Sequence, residues 1–417
     1  MHICVFEDRY YRNLLPLVYF RPVYELRCGI NSLLHNITAE FPRVPLTLSV
    51  RHNLANLVAE NYPGAPVNLL TEDDTLFLNG RILRMEGLRE LIGKDLRNNW
   101  LMHDGDDIAA AYCMKKNISS MNKSLRDGIF NASILRGFKE RVFTGKLIRY
   151  SWDLIHGAAE EIERDFERIR KQRAGAAKIY KGAHIIGRKN IVFSGGVTVK
   201  PGAVLDAEKG PIILGENVIV MSNAFIQGPV FIGHNSIIKA GATIYPGTSI
   251  GELCKVGGEV ECSIIQSHSN KQHSGYLGHS YLGSWVNLGA DTNTSDLKNN
   301  YSTIRVSVDG TMVDSGQQFM GLTMGDHSKS GINVMFDTGS VVGVSCNIYG
   351  AGLPSKFIPS FSWGGGTAFT CYDVDKSIDT MKKVMARRRV EMSSEYEGLV
   401  RNIFNQTHPE RRKEGVK

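Results

Sequence analysis

The chain has 417 residues, 42% apolar and 22% charged, enough to bury a large core and to divide into two or three domains. Its 43 glycines against 13 prolines exclude collagen-like and disordered classes, and no run of apolar residues is long enough for a membrane span. Seven cysteines without a C-x-x-C pair, and a start at Met1-His2-Ile3-Cys4 without a signal-peptide layout, are expected of a reduced, cytoplasmic protein.

Residues 1–150 alternate short apolar runs (Ile3–Phe6, Leu46–Val50, Val67–Leu70, Thr75–Leu78) with helical stretches such as Leu54–Asn61 and Glu86–Ile92. That alternation predicts an α/β domain with a partly parallel sheet. Residues 151–177 place Ile155, Ala158, Ile162, Phe166 and Ile169 on one face among Glu and Arg, the pattern of an amphipathic connecting helix.

From about residue 178 to 360 the period changes. Ile226, Ile232, Ile238, Ile244, Ile250 and Val256 recur every six residues, with Gly233, Gly251 and Gly257 following three of them. The phase returns at Met324, Phe336, Val342 and Ile348, interrupted at Ser330. Six residues fit neither a helix nor a long strand; they fit short strands joined by tight corners, one aliphatic side chain per strand pointing inward. The prediction is a parallel β-helix. Between Asn293 and Gly321 the phase is lost among polar residues such as Lys298-Asn299-Asn300, an excursion of the kind that carries function. Residues 361–417 read as a C-terminal helical extension over Val374–Phe404, expected to cover an end of the solenoid. The net charge of +7 is concentrated there, in Lys382, Lys383, Arg387, Arg388 and Arg389, then Arg411, Arg412 and Lys413. Without aromatic interleaving or a recognition motif this is a solvated basic face, and no nucleic-acid partner is expected. A mildly basic chain also suits phosphorylated substrates.

The chemistry-bearing residues gather between Glu259 and Ala290: His268, His273 and His279 beside Glu259, Glu261, Tyr276 and Asn287. Three imidazoles are a conceivable zinc set, as in γ-class carbonic anhydrases, but spacings of five and six point them poorly at one ion. The run Lys271-Gln272-His273-Ser274-Gly275-Tyr276-Leu277-Gly278, continuing to Val286-Asn287-Leu288-Gly289-Ala290, resembles the acetyltransferase half of the bifunctional N-acetylglucosamine-1-phosphate uridyltransferase/glucosamine-1-phosphate acetyltransferases. The resemblance is good over roughly residues 230–350. It implies a left-handed β-helix that assembles as a homotrimer and transfers an acyl group from acetyl-CoA to a sugar phosphate or nucleotide sugar. His273 would be the catalytic base, since an amino-sugar nitrogen must lose a proton as it attacks a thioester. Glu261, Tyr276 and Asn287 would contact the sugar substrate, and Gly289 and Ala290 would line the acetyl-CoA thioester. The sequence departs from the family at Asp291 and Asp296, and at Tyr245 and Ser263, where the family has basic phosphate grips. Losing those cations points to a different sugar, such as one already nucleotide-linked.

The N-terminal region lacks the Gly-rich phosphate loop of sugar nucleotidyltransferases. With Leu14-Leu15-Pro16-Leu17, Arg21-Pro22 and Glu25-Leu26-Arg27-Cys28-Gly29 after its first strand, it resembles the shortened nucleotidyltransferase-like domain fused to such β-helices. That implies Arg12, Arg21 and Arg27 as phosphate partners and Asn79-Gly80 as a strand-end nucleotide contact. Mg²⁺ would assist transfer of a nucleotidyl group from NTP to a sugar 1-phosphate, releasing pyrophosphate. Arg81 follows where the family places a metal-binding Asp, so Asp73, Asp74 or Asp104 would have to substitute. A non-catalytic nucleotide-sugar-binding trimer is the alternative that this departure keeps open.

Overall fold

The computed structural model describes residues 1–85, 98–126, 129–130, 135–170, 175–366 and 368–417. The helical stretch expected at Glu86–Ile92 lies outside these residues.

The N-terminal domain is built on a six-stranded mixed sheet. Its strands are β1 (His2–Phe6), β2 (Leu46–Ser49), β3 (Thr75–Asn79), β4 (Trp100–Asp104), β5 (Asp107–Cys113) and β6 (Lys139–Val142), in the order β2-β1-β3-β5-β4-β6. β1 pairs in parallel with β2 and β3, whereas β5 runs antiparallel to β3 and β4. The central strands are buried on both faces, which is why Ile3–Phe6 and Leu76–Leu78 read as unbroken apolar runs. Helices α1 (Leu33–Ala39) and α2 (His52–Asn61) bury Leu34, Ile37, Leu54 and Val58 against the sheet. The run Val67–Leu70, expected as a strand, makes a single bridge from Val67 to Leu48. Asn68 sits there at φ 56° and uses its side chain to bond Val50 at both N–H and C=O, so the ladder ends in an Asn-closed turn.

Helix α3 (Ser151–Ile169) links this domain to a left-handed β-helix of about ten turns. The β-helix begins with Lys178–Ile179 and stacks short parallel strands into three faces, one of them nine strands long. The six-residue repeat is its interior: Ile226, Ile232, Ile238, Ile244, Ile250 and Val256 are all fully buried in one cluster. α3 lies along the nine-stranded face. Ser151 Oγ meets Thr323 Oγ1 (3.5 Å) at one end, and Phe166 packs with Ile213 and Phe231 at the other. Those contacts span five strand spacings, about 24 Å, and fifteen residues of helix rise about 22 Å, so helix and solenoid stay in step.

The expected excursion is present. After Asn293–Thr294 the chain leaves the coil, forms an antiparallel hairpin (Arg305–Val308 with Thr311–Asp314) and re-enters at Thr323–Met324. The C-terminal stretch read as one helix is two, α4 (Val374–Ala386) and α5 (Ser394–Gln406), each started by a side-chain cap, Asp373 and Ser393. Arg389 at φ 60° reverses the chain between them. The hairpin strand Ala368–Cys371 covers one edge of the solenoid, and α5 returns to the N-terminal domain, where Glu395 and Ser393 bond Asn56 and Glu60 (both 2.8 Å). No helix among the described residues is long and apolar enough to cross a membrane.

Candidate active site

His273 stands at a corner between two faces of the β-helix, exposed, its ring without a hydrogen bond among the described residues. The corner beneath it is tightly held. Lys271 occupies an interior position, in register with Val256, where the repeat otherwise places an aliphatic side chain. Its ammonium donates to three carbonyls, Gly257 (2.9 Å), His273 (3.2 Å) and Gly275 (2.6 Å). Burial lowers its pKa to about 8. Gly275 is at φ 110°, and a Cβ there would lie 2.2 Å from the Thr292 carbonyl. The next coil stacks on this corner through Asp291 N–H to Ser274 O (3.1 Å). Gly289 and Ala290 are thereby set on the same corner as His273, one coil on. The Gly289 N–H is taken by Ser330, but the Ala290 N–H has no partner among the described residues.

Glu261 and Tyr276 lie to one side of the corner. The Tyr276 hydroxyl reaches Glu261 Oε2 (3.1 Å) and Asp296 Oδ2 (2.9 Å), and Asp296 also accepts from His279 Nδ1 (2.8 Å). Burial and both carboxylates push the Tyr276 phenol up. Burial alone would lower His279, yet the bonds with Asp296 and Cys262 raise it to about 9. A side chain at Gly278 would collide with both Asp296 Oδ2 and Tyr276 Oη (2.2 Å each), so glycine is what makes room for the cluster.

Asn287 lies on the other side, bridged by backbone to Asn270 and Lys329. It lines a cavity of about 340 Å³ between the coil and the end of α4, together with Lys255, Lys329, Arg387, Arg388 and the Trp285–His268 stack. Among the described residues no carboxylate lines it. Lys255 is pushed down by burial and by the neighbouring cations Arg388, Lys239 and Arg387. The basic segment at the end of α4 is therefore not wholly a solvated face: Lys382 and Lys383 pair on the surface with Glu397 and Asp379, but Arg388 donates to Asn270 Oδ1 (3.0 Å) and lines the cavity. The zinc set of His268, His273 and His279 is not assembled. His268 stacks on Trp285, His273 faces solvent, and His279 bonds Asp296 on the opposite flank.

In the N-terminal domain two of the three expected phosphate partners are used elsewhere. Arg21 is buried against Asp326 and Ser284 of the β-helix, and Arg27 pairs with Glu252 (2.6 Å), so neither guanidinium is free for a nucleotide. Arg12 is exposed and meets Asp309 of the hairpin at 3.5 Å. Asn79 is fully buried, donating to Asp8 (2.8 Å) and the Ile108 carbonyl (2.7 Å), while Gly80 abuts Tyr24 and Val23. At the same strand ends lies a cavity of about 450 Å³ lined by Asp8, Arg9, Tyr10 and Asp106 over Phe6 and Phe130. Its polar groups are the Asp8 and Asp106 carboxylates together with Arg9 and Tyr10, none of which the sequence singled out.

Residues at these strand ends do not fit Mg²⁺. Arg81, wholly buried, places its guanidinium 2.6 Å from Asp8 and 3.2 Å from Asp107 and donates to the Ile148 carbonyl (2.8 Å). A fixed cation already neutralises the carboxylates a metal would need. Asp104 is bound to Arg149 (3.5 Å), and Asp73 and Asp74 precede the first residue of β3, at the far end of that strand from Asn79.

Comparison with known proteins fits this two-part architecture. The family model described as sugar nucleotidyl transferase matches residues 3–174. The N-terminal part is similar to that family over these residues. The bifunctional sugar-1-phosphate nucleotidylyltransferase/acetyltransferase of Sulfurisphaera tokodaii is 37% identical over 143 residues, 34% of this chain and 36% of its own. The bifunctional protein GlmU of Methanocaldococcus jannaschii is 38% identical over 154 residues, 36% and 38% of the two chains. GlmU of Methanococcus aeolicus is 25% identical over 389 residues, 89% and 87% of the two. The first two matches thus span little more than a third of either relative. The chain joins a nucleotidyltransferase-like N-terminal domain to an acyltransferase-like β-helix.

Proposed function

We propose that the β-helix transfers an acetyl group from acetyl-CoA to a sugar phosphate or nucleotide sugar, with His273 as general base. The observation that carries this reading is the corner where an unencumbered imidazole and the unpartnered Ala290 N–H lie on successive coils. The sugar amine or hydroxyl attacks the thioester carbon as His273 takes its proton, and the Ala290 N–H donates to the developing oxyanion. The C–S bond then breaks, and His273 returns the proton to the departing CoA sulfur. The cation-lined cavity beside Asn287 suits the phosphates of the donor. Tyr276 and Glu261 orient the sugar on the other flank. The test is thiol release from acetyl-CoA across a panel of amino-sugar phosphates and nucleotide sugars. Release dependent on one acceptor class is expected, and none with any acceptor rejects the reading.

We further propose that the chain works as a homotrimer. Beside the His273 corner, Ile332 and Met335 are 70% and 46% exposed on the coil that stacks on Ala290, an apolar edge suited to a second copy. Ile332→Glu is expected to reduce the mass in solution from three chains to one and to abolish acyl transfer. A wild-type chain that sediments as a monomer rejects trimerisation.

For the sugar nucleotidyl transferase domain, Arg81 favours nucleotide or nucleotide-sugar binding over metal-assisted transfer. The Arg9–Tyr10 cavity is the proposed site. Calorimetry with nucleoside triphosphates and their sugar derivatives is expected to show binding that Arg9→Ala weakens and that Mg²⁺ does not strengthen. Pyrophosphate release stimulated by Mg²⁺ rejects this.

A further inference from the structure

Cys262 and His279 directly follow two strands of one solenoid face, Glu259–Glu261 and Tyr276–Gly278, which pair in parallel register. Both residues adopt positive φ, 41° and 42°, so their side chains leave the coil at the same corner, one layer apart. His156, on α3, faces them, its ring centroid 5.6 Å from that of His279. One ligand atom from each of His156, Cys262 and His279 lies within 4.8 Å of the other two.

The hydrogen bonds around these rings are those of metal ligands. His279 Nδ1 lies 2.8 Å from Asp296 Oδ2, so Nδ1 donates to that carboxylate and Nε2 is the nitrogen left to meet a metal, giving up its own proton on binding. His156 Nε2 lies 3.1 Å from the Phe319 carbonyl, an acceptor only, which leaves the lone pair on Nδ1. An imidazole that ligates through one nitrogen and donates the other N–H to a carboxylate or backbone carbonyl is the usual arrangement around zinc. Phe319 also stacks on His279 at 4.9 Å, fixing that ring from the excursion. His156 is solvent-exposed and provides an entry path.

We propose that His156, Cys262 and His279 bind one Zn²⁺, with the fourth coordination position open to solvent. One thiolate and two imidazoles are the borderline-soft donors that this ion selects, at bond lengths of about 2.3 Å to sulfur and about 2.0 Å to nitrogen. Closing the ligand triangle to the roughly 3.5 Å edges of a tetrahedron with those bonds takes small rotamer changes, for which the exposed His156 has room. Binding displaces the Cys262 proton and pins α3 of the linker to the coil beside the Tyr276–Asp296 pair. The site stands whether or not the β-helix transfers an acyl group.

The experiment titrates metal-stripped, full-length protein with Co²⁺ and reads the thiolate-to-metal charge-transfer absorption, followed by displacement with Zn²⁺. One equivalent per chain, a charge-transfer band and stoichiometric displacement are expected. Cys262→Ser should abolish the band, and His156→Ala, at an exposed position that leaves the fold intact, should weaken Co²⁺ binding by at least about 100-fold. Asp296→Asn should weaken it by about 10–100-fold through the His279 ring, and Cys371→Ser, at an exposed thiol elsewhere, should leave it unchanged. Absence of saturable Co²⁺ binding, or a band that survives Cys262→Ser, overturns the assignment.

Discussion

His273→Ala is expected to lower kcat/KM for acyl transfer by about 10²–10⁴-fold, the usual worth of a positioned general base, while leaving the unfolding midpoint where it was. In barrier terms that is about 3–5 kcal/mol. The two halves of the expectation have separate grounds. The ring is exposed and makes no hydrogen bond among the described residues, so its removal orphans nothing. The corner that presents it is held by Lys271, Gly275 and Asp291, none of which needs the imidazole. Arg388→Glu should behave differently, raising KM for acetyl-CoA with little change in kcat, because the cavity it lines would hold donor phosphates equally in ground and transition states. Turnover by His273→Ala at the wild-type rate would remove the base from the mechanism, even if Arg388→Glu lost donor affinity as expected.

The solenoid was legible because each interior position is read by one side chain. Ile226 to Val256 keep a period that only a three-faced coil satisfies, and all are fully buried. The same regularity contained a signal that periodicity alone passes over: a lysine in the aliphatic column at position 271, whose only stable environment there is a ring of carbonyls. Motif spacing located His273 and Tyr276, but not the partners that folding brings from afar. Asp296 reaches Tyr276 from 20 residues away, and His156 meets His279 across 123 residues of sequence, as no local pattern records. The N-terminal arginines misled for a related reason. Arg12, Arg21 and Arg27 look alike in a loop after a first strand, and only the position of the β-helix decides that two of them are buried against Asp326 and Glu252. Arg81 was legible as a departure, though its pairing with both Asp8 and Asp107 was not.

That buried use of Arg21 leads to the largest expected effect on stability. Asp326→Asn, which keeps the shape and removes the charge, should destabilise the protein by about 3–5 kcal/mol, because it strands a guanidinium that water cannot reach. The side chains of Arg21 and Asp326 are 10% and 1% exposed, and Arg21 also donates to Ser284 Oγ (3.0 Å) and the Leu17 carbonyl (3.2 Å). The pair joins the N-terminal domain to a late coil of the β-helix. Nearby, the Tyr281 hydroxyl accepts from Arg27 N–H (3.0 Å) and lies 3.1 Å from the Arg27 carbonyl, so the same loop is fixed at a second point. Arg21→Met should cost a similar amount, by leaving the carboxylate unpaired. The double variant Arg21→Met/Asp326→Leu should recover most of the loss, since two apolar side chains of similar size carry no desolvation penalty. Denaturant unfolding followed by tryptophan fluorescence measures all three. If the two single losses simply added in the double variant, the domains would be held by packing around the pair, with the pair itself contributing no coupling.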